Sequence, residues 1–342
     1  MDKIVLFRWS ALAVALILLV LGGTFALPLL RGVSSSSEPV LVYLDKDDSF
    51  DSLAVKLKAT GKAEMNSGLR QAARLLQYED HVRPGCYDVG SGQSAWTVVR
   101  RLRAGHQHPV RLTIPQTWTK EQLAARLARQ LMVDSAALAD LFNDAEALQA
   151  YDTSPEMLVS LFVPDTYEVY WTLTPEDLLK RMVKEHEAFW TPERKALAER
   201  QGLTQDEVAI LASILDKETT NMDEMQIIAG MYINRLRAKM PLQADPTVKF
   251  AVGNFTLRRI LYSHLACNSP YNTYKNVGLP PGPICVPSQQ AIKAVLRPAQ
   301  HNYLYMCAKE DFSNAHNFAV TYAEHLDNAR RYRQALSQRG IK

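Results

Sequence analysis

The chain has 342 residues, 47% of them apolar and 22% charged, with a net charge of +3. That length predicts two or three compact units at ~100–200 residues each, and the composition excludes a disordered or low-complexity protein. The charge balance does not indicate nucleic-acid binding, because Arg100-Arg101-Arg103 and Arg330-Arg331-Arg333 fall on helix-like segments and read as solvated faces.

Residues 9–30, "WSALAVALILLVLGGTFALPLL", contain no charge. They are long enough to cross a hydrocarbon core of ~30 Å as a helix. Lys3 and Arg8 precede the run, so the positive-inside rule leaves residues 1–8 as a cytoplasmic tail and puts everything after residue 31 outside. A cleaved signal peptide is the alternative. Its apolar core is usually ~7–15 residues with a small-x-small site, whereas this run is longer and "TFA" is a poor site. The expected topology is therefore a single-pass membrane anchor with the bulk of the chain outside the cytoplasm.

A polar linker at 31–40 leads to a small module at 41–110. Here "VLVYL" predicts a strand, helical patterns run through Leu53 and Leu57 and through Leu69, Ala73 and Leu76, and "RPGCYDVGSG" reads as turns. A helix over 94–103 stops at Gly105. The remaining 111–342 begin with the strand "VRLTI" and a capping box at Thr119-Lys120-Glu121-Gln122, and are mainly helical from about residue 134. Thr174-Pro175 and Thr191-Pro192 mark helix starts, and a further helix covers about 223–239. "LQADPT" and "SPYNTYKNVGLPPGPICVP" read as Pro/Gly-rich loops, followed by a helix over 288–296, the strand "NYLYMCA" and a last helix opening at Thr321. The predicted fold class is α+β: an N-terminal transmembrane helix, a small α+β module, and a mainly helical domain with long loops.

Cys86, Cys267, Cys285 and Cys307 have no CxxC spacing, which argues against a zinc cluster or redox motif. Cys267 and Cys285 flank one loop, a placement that permits a disulfide.

One residue breaks a pattern. Leu211, Ile214, Leu215 and Glu218 stand at i, i+3, i+4 and i+7, so a carboxylate continues the apolar stripe of a helix that opens at the capping box Thr204-Gln205-Asp206-Glu207 and ends near Thr219-Thr220-Asn221. Partial burial and the negative helix end both disfavour ionisation, which would keep Glu218 protonated as a general acid. Periodicity alone leaves open a solvated residue at a fraying end or an ion pair with an arginine. The loop bearing Tyr271, Asn272, Thr273 and Tyr274 offers the aromatic faces, amides and hydroxyls that suit a sugar ring, or ordinary tyrosine packing.

Taken in series, "LFVPDTYEVY", "ASILDKET", "YINRLRAKMPLQADPTVKFAVG", "YNTY", "GLPPGPICVP" and "AHNF" resemble the motifs of the MltG/YceG family of endolytic murein transglycosylases, in order over roughly 155–320, with a form most like its Bacteroidetes branch. The resemblance implies a LysM-like module at 41–110 and a YceG-like catalytic domain at 111–342. It places the catalytic glutamate, the second acid of the family's E-K-E-T motif, on Glu218; the first acid of that motif is here Asp216, and Val159-Ser160 replaces a common Glu-Gly. Asn234, Gln243, Asp245, Tyr271, Asn272, Thr273 and Tyr274 match motif positions and are candidates for binding substrate.

The resemblance also implies the chemistry. Peptidoglycan glycan strands would be cut between N-acetylmuramic acid and N-acetylglucosamine, Glu218 giving its proton to the bridging oxygen and then taking one from the C6 hydroxyl as that oxygen closes on C1. No metal or organic cofactor is implied, and the implied partners are the peptidoglycan synthases of the elongation machinery. Two rivals are a hydrolytic muramidase using Asp216 or Asp245 as second carboxylate, and a non-catalytic wall-binding scaffold.

Overall fold

Two units share the chain in an interleaved way: one holds residues 1–112 and 167–173, the other 113–166 and 174–342. The computed structural model describes residues 3–90, 92–257 and 259–340.

The first unit begins with helix α1 (Lys3–Leu30). Its stretch Ala11–Leu30 has a mean hydropathy of 2.5 and side chains turned outward, so it is long and apolar enough to span a membrane. Then follow β1 (Leu41–Leu44), α2 (Phe50–Ala59), α3 (Ser67–Leu75), β2 (Gly85–Asp88), α4 (Ala95–Ala104) and β3 (Val110–Thr113). Ser49, Asn66 and Ser94 cap the three short helices with their side chains, and Gly105 closes α4 in the left-handed conformation that its lack of a Cβ permits. Strands β1 and β2 pair antiparallel, Leu41 opposite Asp88 and Leu44 opposite Gly85. Leu44, Leu53, Leu57, Leu69, Tyr87 and Leu102 form the core beneath them. The segment read as turns, "RPGCYDVGSG", thus contains a strand. Glycine and aspartate disfavour strands locally, but all four residues of β2 are buried and the pairing with β1 overrides that preference.

In the second unit come α5 (Lys120–Ala128), α6 (Ser135–Asn143), α7 (Ala145–Gln149) and a 3₁₀ turn over Leu158–Leu161. Strand β4 (Thr166–Val169) pairs with β3 where the chain passes between units. Then follow α8 (Pro175–Phe189), α9 (Pro192–Gln201), α10 (Gln205–Glu218), α11 (Met222–Arg237), α12 (Asp245–Val252), α13 (Tyr262–Leu265), α14 (Gln289–Leu296), the antiparallel hairpin β5 (Tyr305–Ala308) and β6 (His316–Ala319), and α15 (Tyr322–Gln338).

Helix α10 is the buried centre of this unit. Leu211, Ile214 and Leu215 pack with Ile228, Met231 and Tyr232 of α11 and Val295 of α14. Gly230 lets α11 lie close against its neighbour, since a Cβ there would stand 2.5 Å from the carbonyl oxygen of Ala299. The stretch after α13 is anchored at its far end: the Ile284 N–H donates to Ser213 Oγ at 2.9 Å, in the middle of α10. "LQADPT" also differs from its reading as loop, because α12 starts within it. Asp245 is the first helical residue and Pro246 follows, where a missing N–H costs nothing. Cys267 and Cys285 are both free thiols, Cys285 buried with its Sγ 3.4 Å from the Ser213 carbonyl oxygen, so no disulfide joins them.

Candidate active site

The capping box foreseen at Thr204 is formed: Glu207 N–H donates to Thr204 Oγ1 at 3.1 Å, and Thr204 N–H to Glu207 Oε2 at 2.8 Å. From that start α10 runs to Glu218, where Thr219 turns extended and ends it. The stripe of leucines therefore delivers Glu218 to the edge of the core. Protein surrounds the carboxyl group on most sides, and the remaining opening leads to a cavity of about 330 Å³ lined by residues 216–220, by the β5–β6 hairpin including Lys309, Asn314 and His316, and by Tyr332.

Burial raises the pKa of Glu218 from 4.5 to about 7. Against this, the Tyr232 hydroxyl donates to Glu218 Oε1 at 2.7 Å and favours the ionised form. Asp245 pushes the value up again, and Lys249 and Arg235 pull it down more weakly. Among the described residues no arginine forms the ion pair that periodicity left open; the nearby Arg235 donates to the carbonyl oxygens of Leu304, Pro241 and Leu242 at 2.6, 3.1 and 2.9 Å. A carboxyl group poised near neutrality at a cavity edge can donate a proton and take one back within a single cycle.

Comparison with known proteins shows the family. The model described as the YceG-like family matches residues 42–331. The chain belongs to the YceG-like family. It is similar to the endolytic murein transglycosylase of Bacillus subtilis, at 27% identity over 92% of this chain and 91% of that one. The enzyme of the same description from Streptococcus pneumoniae serotype 2 is 28% identical over 80% of this chain, which spans only 55% of that relative's length. A crystal structure of a YceG-like protein from Listeria monocytogenes superposes with a TM-score of 0.57 at 26% identity, covering 85% of this chain and 99% of that one.

The residues matched to YceG-like motifs occupy three kinds of position. Tyr274 and Asp245 lie on the Glu218 side, the Tyr274 hydroxyl donating to Asp245 Oδ1 at 2.6 Å while both carry charge interactions with Glu218. Gln243 is exposed and held in the left-handed region at φ 51°, its N–H donating to the Thr273 carbonyl at 3.1 Å and its Oε1 accepting from Arg235 at 3.4 Å. Strain of this kind, about 1 kcal/mol, concentrates at binding sites. The others face inward. Asn234 donates to the carbonyls of His301 and Tyr303, Asn272 to those of Leu265 and Cys267, and Thr273 Oγ1 accepts from Ala244 N–H. Tyr271 packs on Phe250, ring centroids 4.7 Å apart.

Asp216 is committed to packing. Its two oxygens accept from Ser288 N–H and Oγ, each at 2.6 Å, and Ser288 is the residue that caps α14. Two contributors escaped the sequence reading, Tyr232 and Arg235. Both lie within two residues of Asn234 in "YINRLR", and their helical spacing gave no sign that one turns to Glu218 and the other to the loop before α12.

Proposed function

We propose that this YceG-like protein is a membrane-anchored endolytic peptidoglycan lytic transglycosylase. The observation that carries the reading is the Glu218 carboxyl, raised to about 7, at the mouth of a 330 Å³ cavity with the Tyr232 hydroxyl on its Oε1. The names of the relatives from Bacillus subtilis and Streptococcus pneumoniae supply the substrate class. Protonated Glu218 gives its proton to the oxygen between N-acetylmuramic acid and N-acetylglucosamine, and the C1–O4 bond breaks. The carboxylate then takes the C6 hydroxyl proton as O6 bonds to C1, leaving a 1,6-anhydro end with no water consumed. Asp245, Tyr274 and Gln243 border the strand, and the aromatic set of Trp118 stacked on Phe255 at 4.9 Å, with Lys217 over the Trp118 ring, offers sugar faces a surface.

The β1-α2-α3-β2 order with its two-stranded antiparallel sheet supports a LysM-like glycan-holding module. Helix α1 is the single-pass anchor in the cytoplasmic membrane, keeping the catalytic unit on the periplasmic side beside the synthases, where cutting terminates strand elongation.

Mass spectrometry of products from isolated peptidoglycan is the test. Wild type is expected to give 1,6-anhydro-muramic ends, and Glu218→Gln, folded, none. Products one water heavier would mean hydrolysis, with Asp245, whose charge is felt at Glu218, as the second carboxylate.

A further inference from the structure

The β5–β6 hairpin lines the cavity with His316, which pairs with Glu224 of α11, and the acid chemistry leaves both side chains unused. Glu224, in the first turn of α11, is only 7% exposed, yet both its oxygens serve one residue. Oε1 accepts the backbone N–H of His316 at 2.7 Å, and Oε2 lies 3.0 Å from His316 Nδ1. Two bonds from one carboxylate to one residue fix both the backbone and the ring of His316. A carboxylate oxygen only accepts, so the neutral imidazole carries its proton on Nδ1 and presents Nε2 as an acceptor. Among the described residues Nε2 makes no hydrogen bond, and His316 lines the same cavity as Glu218.

A buried carboxylate that sets a histidine's tautomer is a costly arrangement for a hairpin that backbone pairing already closes at Ala308 opposite His316. It is the arrangement that an acceptor facing developing positive charge requires. On the transglycosylase reading above, on which this inference rests, the sugar losing its C1–O4 bond bears a 2-acetamido group. Its carbonyl oxygen can bond C1 as that bond breaks, which places positive charge on the acetamido nitrogen.

We propose that His316, oriented by Glu224, accepts the N–H of this 2-acetamido group and thereby holds its carbonyl oxygen against C1. The electrons balance in two steps. The acetyl oxygen forms its bond to C1 while the C1–O4 pair leaves with O4, which takes the Glu218 proton; the resulting oxazolinium keeps its N–H on His316 Nε2. O6 then bonds C1, the acetyl oxygen leaves with its pair to restore the acetamide, and the O6 proton goes to the Glu218 carboxylate. His316 thus does the work that a second carboxylate would do, and no proton needs to be shared with it.

The test uses the full-length protein in detergent, isolated peptidoglycan as substrate, and a muramic-acid thiazoline as probe, whose ring imitates the bonded acetyl group. For His316→Ala, kcat is expected to fall on the order of tenfold to a hundredfold, the worth of one hydrogen bond to a charged group. KM should stay within about threefold while thiazoline affinity falls in proportion to kcat, since only the charged intermediate makes the bond fully. His316→Gln, which keeps an acceptor and guards against a misfolded alanine variant, should retain more of both than His316→Ala, and Glu224→Gln should lose part of both. Undiminished kcat and thiazoline affinity in a folded His316→Ala protein would overturn the proposal, as would a wild type that makes anhydro ends yet fails to bind the thiazoline. Release of reducing ends by the wild type would overturn the transglycosylase reading itself, a separate result read from product mass alone.

Discussion

At Glu218 two neighbours act on the proton in opposite directions, and each can be removed without touching the carboxyl group. The Tyr232 hydroxyl lowers its pKa and the Asp245 charge raises it. The acid must be protonated to act, so activity should fall as pH rises through about 7. In Tyr232→Phe that alkaline limb is expected to move to higher pH, and in Asp245→Asn to lower pH. Profiles of kcat/KM against pH would show it, and limbs that move together would refute this account of the site.

The same burial has a cost in stability, with a definite sign. Between the ordinary value of 4.5 and about 7 the folded protein binds more protons than the unfolded chain, so this group makes stability decline as pH rises across that window. Glutamine has no such dependence and still accepts from Tyr232. Denaturant unfolding of Glu218→Gln should therefore show a gain on the order of 2–3 kcal/mol over wild type at pH 8 and almost none at pH 4.

Helix α10 was legible in the sequence from end to end, because its capping box, stripe and exit at Thr219 are all local signals. Its role as a brace was not, because Asp216 meets Ser288 across 72 residues. Burial raises the Asp216 pKa, against the pull of the two Ser288 bonds, and those bonds tie the end of α10 to the start of α14. Asp216→Ala is expected to cost about 3 kcal/mol in thermal or denaturant unfolding, the low end for two hydrogen bonds to a carboxylate, because burial of the charge offsets part of their worth. Its products should remain anhydro-terminated; their loss in favour of reducing ends would make Asp216 a reacting group. Strand β2 and helix α12 show the reverse case. Short segments of Gly, Pro and Asp lack a local signature, and their partners decide their form.

For the molecule as a whole, the apolar helix α1 bears on where the chemistry takes place. If it is an anchor, the full chain should sediment with membranes, resist extraction at alkaline pH, and show by intact mass that residues 1–30 are retained. Cleavage after "TFA" would make it a signal sequence instead.

The sequence by itself determined the apolar N-terminal run, most helix starts, and the carboxylate on an apolar stripe, since each depends on residues within a few turns of one another. Tertiary structure alone decided what surrounds that carboxylate. Tyr232 reaches it from 14 residues away, and the Glu224–His316 pair joins positions 92 apart. A proton affinity depends on how much water is excluded and which charges remain close, and in this protein both are set by the packing of distant elements around α10.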